Sequence, residues 1–529
     1  MRTFCSKLKN KFYKSEEQAF FKIKKEFEHN GDLIHVSQLL MFAHQRFPNK
    51  IALVCDNREI TYKEFYYRSL LFSNKLKSLG VKPRDKVILY SGNSIDFYVA
   101  YFAIWQIGAI IVPINIFLHQ KEFIYVANNS DAEVIFVDQE LKQNFDKISL
   151  NELPNIKIVL NNNDLDWESS LDNLDKIDFE PIINNIEELA LILYTSGTTG
   201  KPKGVMLSSK NIIVNALQDY VRLLGTNKSE NERFFSVLPL FHVFAQNTCM
   251  WLPVMTGSAA IIVKKIDRKL ILQGLQKKPT VFFGFPALFG LLCLLKTAPL
   301  DSIRLFISGA DAMTDKIRMG FALIYGRKIC AGYGLTEAAP VIAVNHENEV
   351  LATHYVGYPL FGIKCDIRDD NGNSLPANSI GTLWVKGDNV MMGYYKSPEE
   401  TSKILIDGWL NTGDLGSINN AGYLSISGRN KDLIIHKGFN IYPQEIENVL
   451  LSHPKVMQAA VIGLNDDVAG QIPVAFIASK EKDENLESML RELCAANLAS
   501  YKIPKKFIYL ENLPMNATGK IDKKSLQQN

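Results

Sequence analysis

The sequence predicts an α/β protein: a large multi-subdomain N-terminal domain with parallel-rich sheets plus a small α+β C-terminal domain. Short β-branched runs alternate with helical periodicity from about residue 33, which implies parallel strands with helices on their faces. After Gly428 the alternation restarts as a compact unit of roughly 100 residues, the size of a small separate domain. With 529 residues, 47% hydrophobic and 22% charged, the chain can bury more than one core.

Residues 1–32 stand apart as a basic N-terminal extension. Arg2, Lys7, Lys9, Lys11 and Lys14 are joined by no acid before Glu16. Phe4, Leu8 and Phe12 recur every four residues, so a helix here would lay an apolar edge on an anionic membrane surface. A solvated, frayed terminus competes with that reading and is preferred, because short segments rarely hold a helix alone. No apolar core of about 7 to 15 residues marks a secretory signal.

Six runs read as strands: 51–56 (IALVCD), 86–91 (KVILYS), 110–115 (IIVPIN), 133–138 (EVIFVD), 156–161 (IKIVLN) and 189–195 (LALILYT). In such sheets a ligand sits at the carboxyl ends of the strands. The uncharged stretch 97–117 is long enough to span a bilayer. Gly108 and Pro113 interrupt it, however, and it divides into a helix-like half and a β-branched half, as a buried helix feeding a buried strand would. The segment 161–185, rich in Asn and Asp, reads as a polar connector.

Lys and Arg total 59 against 56 Asp and Glu, so the net charge of +3 supplies no electrostatic reason for nucleic acid binding. Cys5, Cys55, Cys249, Cys293, Cys330, Cys365 and Cys494 are scattered, which argues against a disulfide framework and a zinc site and fits a reducing cytoplasm.

The run 189–194 leads into Thr195-Ser-Gly-Thr-Thr-Gly-Lys-Pro-Lys-Gly204, which holds four hydroxyls, three glycines and two lysines in ten residues. Glycines let backbone N–H groups turn toward a polyphosphate, hydroxyls donate further bonds, and lysine offsets the charge. The spacing is not that of the Walker loop. A flexible surface turn would explain Gly and Ser, but hardly this density of Thr and Lys between a buried strand and a helix.

At these residues the chain resembles the adenylate-forming superfamily of acyl/aryl-CoA synthetases, adenylation domains and luciferases, whose signature Y-T-S-G-T-T-G-x-P-K-G stands intact at 194–204. Later matches are Gly332-Tyr-Gly-Leu-Thr-Glu337, Asn411-Thr-Gly-Asp414, Gly428-Arg-Asn-Lys-Asp432 and Pro514-Met-Asn-Ala-Thr-Gly-Lys520. The resemblance is strongest to bacterial fatty-acyl-CoA ligases. It implies an AMP-binding domain over 33–430 and a mobile domain over 431–529, hinged at Lys431. It further implies two steps: a carboxylate and ATP give acyl-AMP and pyrophosphate, then the acyl group passes to the thiol of coenzyme A.

The site residues follow from the same resemblance. Thr195, Ser196, Gly197, Thr198, Thr199, Gly200 and Lys203 would hold the β and γ phosphates, with Thr198 and Glu337 toward Mg2+. Thr336 would contact the α-phosphate. Gly332, Tyr333, Gly334 and the turn Ser308-Gly309-Ala310-Asp311 would border adenine. Asp414 and Arg429 would bind the ribose hydroxyls. Lys520 would bridge the carboxylate and α-phosphate, while Lys437 and Gly438 would face the thiol tunnel after domain rotation.

Phe241 and His242 lie in a motif matching the family's acid pocket, where His242 either gates the carboxylate or is a structural histidine. Phe283, Gly284 and Phe285 belong to an apolar run whose glycine suggests a slot for an alkyl tail, without a charge to read an amino acid. A medium- or long-chain fatty acid is therefore expected. The alternatives are an acyl-acyl carrier protein synthetase, a stand-alone adenylation enzyme for another acid, and a noncatalytic scaffold. Ser209, Thr382 and Lys437 depart from the family pattern and leave acid selectivity and the acceptor less determined.

Overall fold

In the computed structural model the described residues are 2–29, 31–167, 179–195, 201–225, 231–345, 355–436, 439–466, 470–479, 485–515 and 521–527. All six expected runs contain strands, but they enter two sheets. Ile158–Leu160, Val134–Val137, Lys86–Tyr90, Ile110–Pro113 and Leu189–Thr195 lie side by side and parallel. Ile51–Cys55 instead pairs in parallel with Ala259–Ile262 in the second sheet.

That second sheet continues in parallel through Arg233–Ser236, Val281–Gly284, Leu305–Ser308 and Cys330–Gly334. Beyond it the order turns antiparallel through Val341–Val344, Tyr355–Pro359, Leu424–Arg429, Trp409–Ile418, Gly381–Lys386 and Lys364–Arg368. The parallel expectation thus ends near residue 334. Links as short as 335–340 leave no room for a helical crossover, so neighbouring strands reverse direction.

The apolar stretch 97–117 is a buried helix, Ile95–Gln106, followed by the strand Ile110–Pro113. Its polar tips are satisfied inside the protein: Tyr98 Oη donates to Cys249 O at 2.8 Å and Trp105 Nε1 to Ala190 O at 3.0 Å. Among the described residues no helix is long and apolar enough to cross a membrane.

The amino terminus corrects the expectation of a frayed extension. Arg2–Lys25 is a helix, and its second half docks on the large domain through buried Phe20, Ile23 and Phe27. Phe20 packs against Phe361 at 4.9 Å between ring centroids. Buried Glu16 pairs with buried Arg222, whose Nη2 lies 2.9 Å from Glu16 Oε2. The same guanidinium donates to the carbonyls of Val344, Tyr358 and Pro359. An ion pair joined to a hydrophobic stripe supplies the tertiary packing from which most helical stability comes.

The helix Ser209–Asp219 begins with a Ser208/Asn211 capping box and carries a polar stripe toward the second sheet. Asn211 Nδ2 donates to the carbonyls of Asp388 and Val390, and Asn215 Nδ2 to that of Val341. Gln218 Nε2 reaches Phe361 O at 2.7 Å. These bonds brace the segments on either side of residue 337.

Residues after 433 form their own sheet and hydrophobic cores, including Ile434, Ile446, Val461 and Ile477. Lys316 touches this unit by donating to the carbonyls of His453 and Val456, at 3.3 and 3.0 Å.

Candidate active site

The phosphate-loop motif is flanked by two antiparallel strands, Leu189–Thr195 and Lys203–Ser208, with Thr195 opposite Lys203. The expected strand-to-helix passage is therefore a hairpin, and the helix starts only at Ser209. Gly204 is required by packing, since an added Cβ would come within 2.9 Å of Ile192 and 3.1 Å of the Tyr194 ring. Ser196, Gly197, Thr198, Thr199 and Gly200 lie outside the described residues, as do Lys437, Gly438 and Lys520.

Lys203 Nζ is 2.5 Å from Glu400 Oε2 and 5.2 Å from the centroid of the Tyr394 ring. Lys203 and Lys403 hold the Glu400 carboxyl down at about 2. The Tyr394 hydroxyl donates to Glu337 Oε1 at 2.8 Å. Its strand pairs with the hairpin, Tyr394 opposite Val205, while Met391 N donates to Glu337 O at 2.9 Å. One short strap, 391–395, thereby joins the phosphate-loop hairpin to the turn bearing Glu337. Burial pushes the Glu337 carboxyl up, and the Tyr394 hydrogen bond opposes it.

A second cluster forms where Cys330–Gly334 ends. Tyr333 Oη donates to Asp414 Oδ2 at 2.6 Å, and Arg429 Nε lies 3.4 Å from Asp414 Oδ1. Asp414 and Arg429 sit opposite each other on neighbouring strands. Asp414 is buried, whereas the Arg429 side chain is 55% exposed and can reach a ligand. The Tyr333 phenol is pushed far up, first by burial and then by Asp414. Gly334 allows close backbone approach: an added Cβ would fall 2.2 Å from Pro340 O. Thr336 follows in the turn Thr336–Ala338.

The strand ends at 284 and 308 are paired neighbours, and Gly309 N donates to Gly284 O at 3.0 Å. Ala310 and Asp311 are exposed beyond this pair. Gly284 corrects an expectation, since a Cβ there would meet Phe282 and Phe289 at 3.0 Å and Leu288 at 3.3 Å. Its missing side chain is filled by the core, not left as a slot. Phe283 is also core, stacked on Phe234, while Phe285 is only partly buried. Phe241 is buried, with the half-buried His242 ring 4.7 Å away and Phe117 at 6.1 Å.

The AMP-binding enzyme model matches residues 42–395, and the AMP-binding enzyme C-terminal domain model matches 445–520. The chain belongs to the AMP-binding enzyme family. It is an AMP-forming CoA ligase, using ATP, Mg2+ and coenzyme A. It is 29% identical to a long-chain-fatty-acid–CoA ligase of Escherichia coli O6:H1, over 91% of this chain and 92% of that one. It is 32% identical to a 2-succinylbenzoate–CoA ligase of Bacillus cereus, over 91% and 96%. ATP-bound MatB from Rhodopseudomonas palustris superposes with a TM-score of 0.84 at 28% identity, covering 94% and 99%. An anthranilate CoA ligase holding anthranoyl-AMP superposes with a TM-score of 0.86 at 26% identity, covering 94% and 97%.

In this AMP-binding enzyme no group of three or more His, Cys, Asp or Glu among the described residues could cage a metal. Half-buried Glu337, with one oxygen held by a neutral hydroxyl, suits Mg2+, which keeps most of its shell for water and phosphate oxygens. Two departures from the family pattern have local explanations. Ser209 is buried and its Oγ accepts from Val36 N at 3.0 Å, and Thr382 is a buried strand residue. Tyr394 and Glu400 escaped motif reasoning. Their one sequence signal is the helix start Ser397-Pro-Glu-Glu400, which marks a turn but names no partner.

Proposed function

We propose that this AMP-binding enzyme is a fatty acid–CoA ligase. The carboxylate attacks the α-phosphorus of ATP and pyrophosphate leaves; the CoA thiol then attacks the acyl carbon and AMP leaves. The observation that carries the nucleotide reading is the gathering of Tyr333, Asp414 and Arg429, from three separate motifs, into one cluster held by a hydrogen bond and an ion pair. Asp414 would accept from the ribose hydroxyls, and Arg429 would add charge there.

Both reactants are anions, so the site must offset charge and hold attack geometry. Lys203 and the loop 195–200 would bind the β and γ phosphates, and Thr336 the α-phosphate. Gly309, Ala310 and Asp311 would border the base. Glu337, together with Thr198, would hold Mg2+, which when bound withdraws charge from the phosphate oxygens. Lys520 would steady the attacking carboxylate, then withdraw as the unit from Lys431 onward turns and brings Lys437 and Gly438 to the thiol.

The Phe241 ring, 4.7 Å from that of His242 and 6.1 Å from that of Phe117, supports an apolar acid, in line with relatives named as long-chain ligases. We place the enzyme in the cytoplasm, with its basic first residues available to an anionic membrane face. The test is a matrix of acids and acceptors read by AMP release. Acids of C8 to C16 with free coenzyme A are expected to lead. Benzoates or amino acids in front would overturn the acid, and holo-carrier protein in front would overturn the acceptor.

A further inference from the structure

We propose that Tyr394 is a positioning residue that holds the Glu337 carboxylate ready for Mg2+, while Glu400 holds Lys203. This rests on the assignment of Glu337 as the metal's protein donor. Tyr394 touches Glu337 through its hydroxyl and Lys203 through its ring. The carboxylate takes the phenolic hydrogen at 2.8 Å, and the ammonium lies 5.2 Å from the ring centroid while pairing with Glu400 at 2.5 Å.

A carboxylate beside a lysine ordinarily pairs with it, and an ion pair would spend the negative charge that a divalent cation needs. Here Glu400 takes the lysine, and Glu337 receives a neutral donor instead. A hydroxyl orients one oxygen without cancelling its charge, which is how an outer hydrogen bond tunes a metal ligand.

The backbone makes the arrangement rigid. Tyr394 N donates to Thr401 Oγ1 at 2.8 Å. The strap is also tied to the hairpin on both sides of Tyr394, by Met392 N to Met206 O at 3.0 Å and Tyr395 N to Gly204 O at 2.7 Å. Gly393, at φ +140°, permits the bend, and a Cβ there would strike Thr401 Cγ2 at 2.8 Å. The neighbouring Tyr395 supplies an internal control, because its hydroxyl goes to Asp131 at 2.9 Å instead of to the site.

The experiment titrates Mn2+ into the full-length enzyme with ATP and no acid, reading free Mn2+ by electron paramagnetic resonance. Wild type, Tyr394→Phe, Tyr395→Phe and Glu337→Gln are compared. Tyr394→Phe is expected to weaken Mn2+ binding about tenfold and to raise the Mg2+ needed for half-maximal pyrophosphate release by a similar factor. Its rate at saturating Mg2+ should stay within about twofold, and Tyr395→Phe should bind Mn2+ as wild type does. Wild-type Mn2+ affinity in Tyr394→Phe, with Glu337→Gln impaired, overturns the role of Tyr394 alone. Wild-type affinity in Glu337→Gln overturns the metal assignment beneath it. Equal weakening by both tyrosine variants overturns the specific coupling in favour of general loosening of the strap.

Discussion

Tyr333 donates its phenolic hydrogen to Asp414, 81 residues further along the chain, at 2.6 Å. The bond fixes one carboxylate oxygen while Arg429 approaches the other. A carboxylate held this way would lose little freedom on accepting from ribose hydroxyls, the role proposed for Asp414.

Tyr333→Phe should therefore weaken nucleotide binding more than chemistry. Hydrogen bonds to charged groups contribute about 1.5 to 3 kcal/mol, so KM for ATP is expected to rise at least about tenfold with kcat within about twofold. Steady-state pyrophosphate release at varied ATP checks it, and a fall in kcat at unchanged KM would contradict the positioning role.

Lys520→Ala should abolish acid-dependent pyrophosphate exchange yet leave thioester formation from supplied acyl-AMP largely intact. The residue matches the family's lysine for the first half-reaction, and the second needs no cation between carboxylate and phosphate. Equal loss in both assays would refute this division of labour.

Glu16→Ala tests the docking of the amino-terminal helix. The variant strands a buried guanidinium that still donates to the carbonyls of Val344, Tyr358 and Pro359. Breaking a buried pair costs about 3 to 5 kcal/mol, and these remaining acceptors should hold the loss to about 2 to 4 kcal/mol in urea unfolding. A change under about 0.5 kcal/mol would mean that the helix adds little to the fold.

Asp219 predicts how stability varies with pH. Its carboxyl oxygens have no hydrogen-bond partner among the described residues, and burial pushes it up to about 8 against an opposing Arg222. Between about pH 4 and 8 the unfolded chain has lost a proton that the folded one keeps. This group therefore makes stability fall as pH rises through that window, by up to about 1.4 kcal/mol per unit. Asp219→Asn should flatten the decline and stabilise the protein most near pH 8, as read from urea midpoints at pH 5 and 8. Parallel profiles for the two proteins would reject the assignment.

What the sequence determined by itself was local. The runs IALVCD and LALILYT announce strands because β-branched residues in short bounded stretches suit a buried pleat, and the phosphate loop is conspicuous because ten adjacent residues carry its chemistry. The division of 97–117 into helix and strand was legible for the same reason.

Only the tertiary structure decided partnership. Nothing local sends 51–55 to a different sheet from 86–90, reverses the strands after 334, or fills the space beside Gly284 with Phe282, Phe289 and Leu288. Nor could motif reading join Glu16 to Arg222, 206 residues away, or Tyr394 to Glu337, 57 residues away. Propensity and spacing act over one turn or one strand, whereas a buried charge or hydroxyl takes its partner from whatever the folded chain brings within hydrogen-bond reach.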